Sequence, residues 1–173
     1  HVVTRRQRQM CIRDSLIGSG PVMVQVLDAV EKLETYGVRC EIYSATSYGE
    51  LRREGLACDR HNRLHPTDDL QKPYVETLLA EPLPTVAVSD NMAAVPDMIR
   101  QWVSGPYTVL GTDGFGRSDT REALRRFFEI DGAAIALAAL SSLVREGELD
   151  GKVYAKAEKN FAVSTDRPDI ASL

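Results

Sequence analysis

Short apolar segments alternate along the chain with stretches in which apolar residues recur every three or four positions. Short apolar runs are typical of buried strands, and the wider spacing is typical of helices. Four strands are predicted, at residues 16–17, 38–45, 85–89 and 107–110. Strands that alternate with helices favour a mostly parallel sheet with helices on both faces. The expected fold class is therefore α/β.

Polar residues with capping chemistry predict where the helices begin. Ser47 and Glu50 have the spacing of a capping box, and Gly55 is expected to end the helix that Ser47 begins. Aspartates are expected to cap three further helices, and Ser118 or Asp119 is expected to cap the helix at residues 120–128. The predicted helices are residues 22–36, 48–54, 91–103 after Asp90, 120–128, 132–145 after Asp131 and 151–159 after Asp150, with a helical turn near 74–79.

The chain divides into three parts by pattern. Residues 16–163 are predicted to form one α/β domain, and residues 164–173 a frayed tail. Residues 1–15 show neither helical nor strand periodicity and resemble translated sequencing-adapter or assembly sequence, so we expect them to be non-native. The alternative is a basic interaction arm. Leu16 and Ile17 resemble the stub of a strand whose beginning is missing, so the first strand is expected to be truncated before residue 16.

Charge and composition exclude some classes of function. Four arginines and one aspartate give residues 1–15 a net charge of +3, which leaves −7 on the rest of a chain whose total is −4. An acidic body disfavours nucleic-acid binding. The chain is expected to have no apolar run near the 18 residues that a membrane helix needs, and therefore no membrane partner. Its three cysteines have no disulfide or zinc spacing, which favours a reduced, cytoplasmic protein.

The most informative motif is the glycine-rich loop between the fourth strand and the next helix. In an α/β fold such a loop lies at the carboxyl edge of the sheet, where ligands and partners bind. Its spacing is neither GxGxxG nor a phosphate loop. The candidate site residues are Gly111, Asp113, Gly114, Phe115, Gly116, Arg117, Ser118 and Asp119.

Two interpretations of this loop remain open. In the first, the glycines allow tight turns and the charged side chains tie down a structural or interface loop. In the second, backbone amides at the helix start hold an anion and Arg117 adds a positive charge.

No complete catalytic set is visible elsewhere. His61 and His65 would share a helix face, but no third metal ligand is near them and Pro66 follows. His65 is instead expected to order its loop or to contact a neighbouring domain. We therefore assign no catalytic, cofactor-binding or metal-ligating residue to this chain.

Five blocks in order carry a family resemblance: SATSYGELRREG, CDRHNRLHP, PYVETLL, VAVSDNM and YTVLGTDGFGRSDTREALRRFFEID. Together they resemble the carboxyl-terminal domain of homodimeric pyruvate dehydrogenase decarboxylating components, which are thiamine-diphosphate enzymes. The resemblance covers residues 16–161. The GxDxFGxS turn also resembles the last domain of transketolases.

The resemblance implies a mixed, five-stranded sheet and a parent enzyme with two further domains. Such a parent holds thiamine diphosphate and magnesium between those other domains, across a homodimer interface. It decarboxylates pyruvate and reductively acetylates the lipoyl group of a dihydrolipoyl acetyltransferase component. The residues that bind the cofactor and handle pyruvate have no counterpart here, so the fragment alone is expected to be inactive.

Three functions remain open for this chain. The first is a structural and assembly domain whose loop packs against the other domains of the same cytoplasmic enzyme. The second is an independent module that binds an anionic ligand or a partner at residues 111–118. The third is the last domain of a transketolase of sugar metabolism.

Overall fold

The computed structural model describes residues 13–163 and residue 166, so most of the predicted non-native segment and of the frayed tail lies outside the described residues. Two short 3-10 turns, Gly20–Val22 and Arg100–Trp102, interrupt an alternating order of strands and helices. In chain order the elements are β1 (Arg13–Gly18), α1 (Met23–Glu34), β2 (Arg39–Ser44), α2 (Tyr48–Leu64), α3 (Tyr74–Leu78), β3 (Thr85–Val88), α4 (Ala94–Asp97), β4 (Tyr107–Leu110), α5 (Arg121–Phe127), α6 (Gly132–Arg145) and α7 (Gly151–Phe161).

The four strands form one parallel sheet in the order β2-β1-β3-β4. This confirms the α/β class. It corrects the expectation of a mixed, five-stranded sheet, because the described residues contain four strands and all of them pair in parallel. Parallel strands need crossover connections, and the helices between the strands provide them.

The expectation of a truncated first strand was wrong. β1 has six residues, as β2 does, and it begins at Arg13, which pairs with Arg39. Asp14 and Ser15 are buried between β2 and β3. The last three residues of the segment 1–15 therefore lie in the sheet. Whether that segment belongs to the natural protein stays a prediction.

Side chains that alternate along the strands supply two separate cores. Leu16, Val86 and Val88 point to the face covered by α1, α6 and α7. Ile17 and Ala87 point to the opposite face, which is covered by α2, α3 and the Arg100–Trp102 turn. Both faces of the sheet are buried, as an apolar parallel sheet requires.

α2 continues through the glycine that was expected to end it. The Ser47 side chain accepts a hydrogen bond from the Glu50 amide (3.2 Å), as predicted, but the helix runs on to Leu64. A Cβ atom at Gly55 would lie 2.6 Å from the Trp102 ring. The glycine is therefore required by a close approach of two elements, which a sequence pattern cannot distinguish from a helix end.

We expect Gly55→Ala to lower the free energy of unfolding, because the added Cβ would overlap the buried Trp102 ring. Overpacking of this kind costs about 1–3 kcal/mol, offset by at most about 1 kcal/mol of helix propensity. Gly49→Ala is the matched control, since its Cβ would meet nothing closer than Ser47 Oγ at 3.8 Å in the same helix. Urea unfolding of both variants checks this: equal midpoints would contradict the packing argument.

The helix predicted at residues 91–103 is replaced by the short α4 and the Arg100–Trp102 turn. The Asn91 carbonyl accepts from the Thr112 amide (2.9 Å) and its own amide donates to Ser89 Oγ (3.1 Å). Because both backbone groups are engaged outside a helix, no helix begins there, and the predicted Asp90 cap was wrong.

The later caps agree with prediction except at α5. The Asp131 side chain accepts from the Ala134 amide (2.9 Å) and that of Asp150 from the Lys152 amide (2.8 Å). α5 is capped by Thr120 rather than by Ser118 or Asp119.

One stretch of the described residues, Arg121–Arg145, is long and apolar enough to cross a membrane by length and composition alone. It consists of two helices, because α5 ends at Phe127, Glu129 has a φ of 57°, and α6 begins after the cap. The apolar residues of α6 pack into the core against α1 and the sheet. A buried core helix passes the same test, so the stretch is weak evidence for a membrane span.

Candidate functional site

The carboxyl ends of the four parallel strands meet at one edge of the sheet. β1 and β3 are neighbours there, and their connections lead in opposite directions across the sheet, which is where open α/β folds form a crevice. Ser19 Oγ donates to Ser89 Oγ (3.3 Å) across this point. The loop that follows β4 lies beside it.

The inner half of the glycine-rich loop is fastened to the loop between β3 and α4. The Thr112 hydroxyl donates to the Asp90 carbonyl (3.0 Å), in addition to the bond from its amide to Asn91. The Asp113 carboxylate accepts from the Ala93 amide, at 3.2 Å to Oδ1 and 3.3 Å to Oδ2. These contacts favour the predicted role of Asp113, which is to tie the glycine-rich loop down.

The three loop glycines have different roles. A Cβ atom at Gly111 would lie 2.3 Å from the Ala93 backbone nitrogen, so the two loops approach too closely for any side chain. Gly114 has a φ of +93°, which favours glycine. Gly116 has open space around its Cβ position and no positive φ. Two of the three glycines are therefore required by the backbone.

The outer half of the loop is exposed. Phe115 is 82% exposed at the tip, next to further exposed residues through Asp119. The Arg117 guanidinium lies over the Phe127 ring of α5, 4.2 Å from its centre. The Asp119 side chain accepts from the Thr120 amide (2.7 Å). The tip thus presents an aromatic ring to solvent while its charged residues contact α5 and the helix start.

Two open clefts border the loop and carry mixed charge. The smaller, of about 340 Å³, is lined by Arg117, Ser118 and Asp119 together with α5. The larger, of about 580 Å³, lies between α5 and the ends of α6 and α7. Its charged lining residues are mostly carboxylates: Asp119, Glu122, Glu129 and Asp131, with Arg126. Such a lining disfavours an anionic ligand.

His65 lies apart from this edge. It follows the last residue of α2, a helix about 25 Å long that begins at the carboxyl end of β2. Its ring lies 4.6 Å from that of His61, and its Nδ1 is 3.8 Å from Asp68 Oδ2. Among the described residues no group of three or more His, Cys, Asp or Glu side chains is placed to hold a metal. The contact predicted for His65 with a neighbouring domain stays a prediction.

The sequence missed the residues on which the loop rests. Asp90, Asn91 and Ala93 were assigned to a helix and its cap, although they form the platform for Thr112 and Asp113. The available signal was their position after a buried parallel strand, at the same sheet edge as the loop.

The most perturbed carboxyl group lies in β1, away from the loop. Asp14 is fully buried, its Oδ1 accepts from the Ser15 amide (2.7 Å), and its Oδ2 has no partner among the described residues. Burial raises the pKa of Asp14 to about 8. Burial and the nearby Asp14 carboxylate raise the pKa of the Cys40 thiol, its neighbour on β2, to about 12.

Comparisons with known proteins agree with one another. A family model described as the transketolase-like TK C-terminal domain matches residues 3–131. A protein named pyruvate dehydrogenase E1 component from Corynebacterium glutamicum is 48% identical over 149 residues, which is 85% of this chain and 16% of that protein. Those from Haemophilus influenzae and Mycolicibacterium smegmatis are 47% and 43% identical, over 88% and 86% of this chain and 17% and 16% of their own lengths. The chain spans less than a fifth of each of these relatives.

Proposed function

We propose that this chain is the carboxyl-terminal assembly domain of a pyruvate dehydrogenase. The premise is that the chain belongs to the transketolase-like TK C-terminal domain family. The resemblance found in the five sequence blocks is confirmed by this family match. The observation that carries the proposal is identity of 43–48% to pyruvate dehydrogenase E1 components over 85–88% of the chain.

The activity proposed for the parent polypeptide follows from these relatives and from the sequence resemblance. The parent decarboxylates pyruvate and reductively acetylates the lipoyl group of a dihydrolipoyl acetyltransferase component, as a cytoplasmic homodimer. Thiamine diphosphate with magnesium supplies the decarboxylation chemistry there. The described residues of this chain offer no carboxylate cluster that fits a magnesium diphosphate. We assign the cofactor to the other domains and no catalytic step to this one.

The geometry of the loop supports a role in assembly. Its inner half is fixed by hydrogen bonds between Thr112 or Asp113 and the backbone of the β3–α4 loop, and its tip holds an exposed phenylalanine. A rigid base that presents an aromatic ring is typical of an interface anchor. We propose that Phe115 is buried against another domain of the parent.

The anion-binding alternative has weaker support. Arg117 stacks on Phe127, and the larger neighbouring cleft is lined mainly by carboxylates. A direct test is calorimetric titration of the chain with inorganic phosphate. Binding that Arg117→Ala abolishes would favour the independent module, whereas no heat of binding is the expected result. A sugar-metabolism transketolase remains the third candidate, and the names of the relatives above favour the pyruvate enzyme instead.

We expect Phe115→Ser in the full-length parent to weaken assembly, because an anchor ring at the centre of an interface contributes about 2 kcal/mol or more. If the contact joins two subunits, this corresponds to a dimer dissociation constant roughly 30-fold higher. If the contact lies within one subunit, the free energy of unfolding falls by the same amount, about 2 kcal/mol. Leu70→Ser is the control, since Leu70 is 71% exposed and lies outside the loop.

Sedimentation and urea unfolding of the parent read out assembly, and pyruvate-dependent acetylation of a lipoyl domain reads out function. If Phe115→Ser and Leu70→Ser behave alike, the interface role of the loop is wrong. The isolated chain is expected to show no pyruvate decarboxylation with thiamine diphosphate and magnesium, and activity there would overturn the assignment of catalysis to the other domains.

A further inference from the structure

A second surface, on the solvent side of α2, carries a row of arginines. Arg52, Leu56 and Arg60 follow one another at four-residue spacing, and Arg63 lies within the same sector of about 80° around the helix axis. All four side chains are exposed, and they extend along about 16 Å of the helix. We call these four residues the arginine stripe.

The acidic residues of α2 form no ion pair with the stripe, and the carboxylate of each contacts another group. Glu50 pairs with Arg53, which lies next to the stripe and is not part of it. The Glu54 carboxylate accepts from the Tyr74 amide, with Oε2 at 3.0 Å. Asp59 Oδ2 accepts from the Trp102 indole nitrogen at 3.1 Å.

No carboxylate of the described residues lies in ion-pair contact with the three arginines of the stripe. The stripe is also exceptional in a chain that is acidic as a whole. The three guanidinium groups are therefore available to a partner outside the described residues.

An apolar side chain lies in the middle of the stripe. Leu56 is 41% exposed between Arg52 and Arg60, and the next exposed leucine, Leu64, follows at the end of the helix. Guanidinium groups bind carboxylates through two parallel hydrogen bonds, and an exposed leucine gains by burial against another apolar group. The combination fits a protein segment with carboxylates on either side of an apolar residue. A nucleic acid would leave Leu56 unmatched and would face an acidic domain.

We propose that the arginine stripe docks an acidic, amphipathic segment of the parent polypeptide that lies outside this chain. The inference rests on the proposed function, because it takes the occupant from the remainder of a longer enzyme. The relatives have room for such an occupant, since more than four fifths of each lies outside the matched region. The carboxylates of the segment pair with the arginines, and its apolar residue covers Leu56.

The test places a photo-reactive benzoylphenylalanine at Leu56 of the full-length parent. Mass spectrometry of the cross-linked peptides is expected to identify one acidic segment of the same polypeptide. Val24, on α1 at the opposite face of the sheet and 63% exposed, carries the same probe as control. We expect at least a fivefold higher cross-link yield at Leu56.

Charge reversal makes the test specific for the stripe. Arg52→Glu with Arg60→Glu and Arg63→Glu is expected to reduce the Leu56 cross-link at least fivefold, whereas Arg145→Glu at the end of α6 leaves it unchanged. Equal yields at Leu56 and Val24, a product with RNA or with another protein, or insensitivity to charge reversal would each overturn the proposal.

Pyruvate oxidation by the same preparations separates this inference from the proposed function. An active parent without the specific cross-link refutes the stripe alone. A parent that carries the cross-link but lacks pyruvate-dependent acetylation refutes the proposed function and leaves the docking surface supported.

Discussion

Asp14→Val is expected to raise the free energy of unfolding at pH 8 by on the order of 5 kcal/mol. The carboxyl group is buried in an interior strand, and one of its oxygens has no hydrogen-bond partner among the described residues. Burying an unpaired charge is among the largest single-residue costs in a fold. Valine removes that cost and suits a buried strand.

The sign of the pH dependence follows from the direction of the pKa shift. Burial raises the pKa of Asp14 from 3.8 to about 8, so the folded state holds this proton more tightly than the unfolded state. The free energy of unfolding is therefore highest, as far as Asp14 is concerned, below about pH 4, where the carboxyl group is protonated in both states. This contribution is lost as pH rises from about 4 to 8. A shift of this size corresponds to about 5 kcal/mol, comparable to the whole stability of a small domain.

Urea unfolding between pH 4 and pH 9 gives the free energy of unfolding of the wild type and of Asp14→Val. The difference between the two isolates Asp14, because the contributions of the other carboxylates are the same in both proteins. The difference is expected to be small at pH 4 and to grow up to pH 8. Asp14→Asn is expected to give part of the gain, because it removes the charge but leaves a buried amide. Glu31→Gln at an exposed position of α1 is the control, and it is expected to change the free energy of unfolding by no more than about 0.5 kcal/mol.

A pH-independent difference between wild type and Asp14→Val would mean that the carboxyl group titrates normally in the folded protein. A marked gain would also support the prediction that residues 1–15 are non-native, since a natural interior strand seldom holds an unpaired acid. A loss at every pH would count against that prediction.

The sequence was sufficient for the features that depend on local chemistry. The caps at Ser47, Asp131 and Asp150 were predicted because a single side chain and a nearby amide determine each of them. The parallel sheet followed from the alternation of strands and helices.

Features that depend on contacts between distant residues were not predictable in the same way. Gly55 looks like a helix end until Trp102, 47 positions further on, is seen against it. The β3–α4 loop has the sequence pattern of a helix start, but its backbone groups form hydrogen bonds with Thr112 and Asp113. β1 was shortened because charged residues in 1–15 conceal a strand whose partners are β2 and β3. In the candidate site, the loop residues were found from sequence and the platform beneath them was not.

Gly111→Ala is expected to detach the glycine-rich loop from the β3–α4 loop and to destabilise the chain by about 2–4 kcal/mol. The new Cβ would lie 2.3 Å from the Ala93 nitrogen and 2.7 Å from the Asn91 carbonyl oxygen. These are backbone atoms, so the clash is relieved only by separating the two loops. Separation breaks the hydrogen bonds of Thr112 and Asp113, each worth about 0.5–1.5 kcal/mol, in addition to the strain.

The control is Gly116→Ala in the same loop, where no atom lies within 4 Å of the added Cβ and φ is not positive. It is expected to change the free energy of unfolding by no more than about 0.5 kcal/mol. Urea unfolding compares the two variants, and hydrogen exchange of the Ala93 and Thr112 amides shows whether the loops have separated. Equal midpoints with unchanged exchange would contradict the close approach at Gly111.

A double-mutant cycle with Asp113→Ala distinguishes loop separation from local strain. In the wild-type background Asp113→Ala removes the acceptor of the Ala93 amide and is expected to cost about 1–2 kcal/mol. After Gly111→Ala that bond is already broken, so the second substitution is expected to cost almost nothing. If the losses in the free energy of unfolding are additive, alanine is accommodated at position 111 without separating the two loops. The base of the proposed interface would then not depend on glycine at this position.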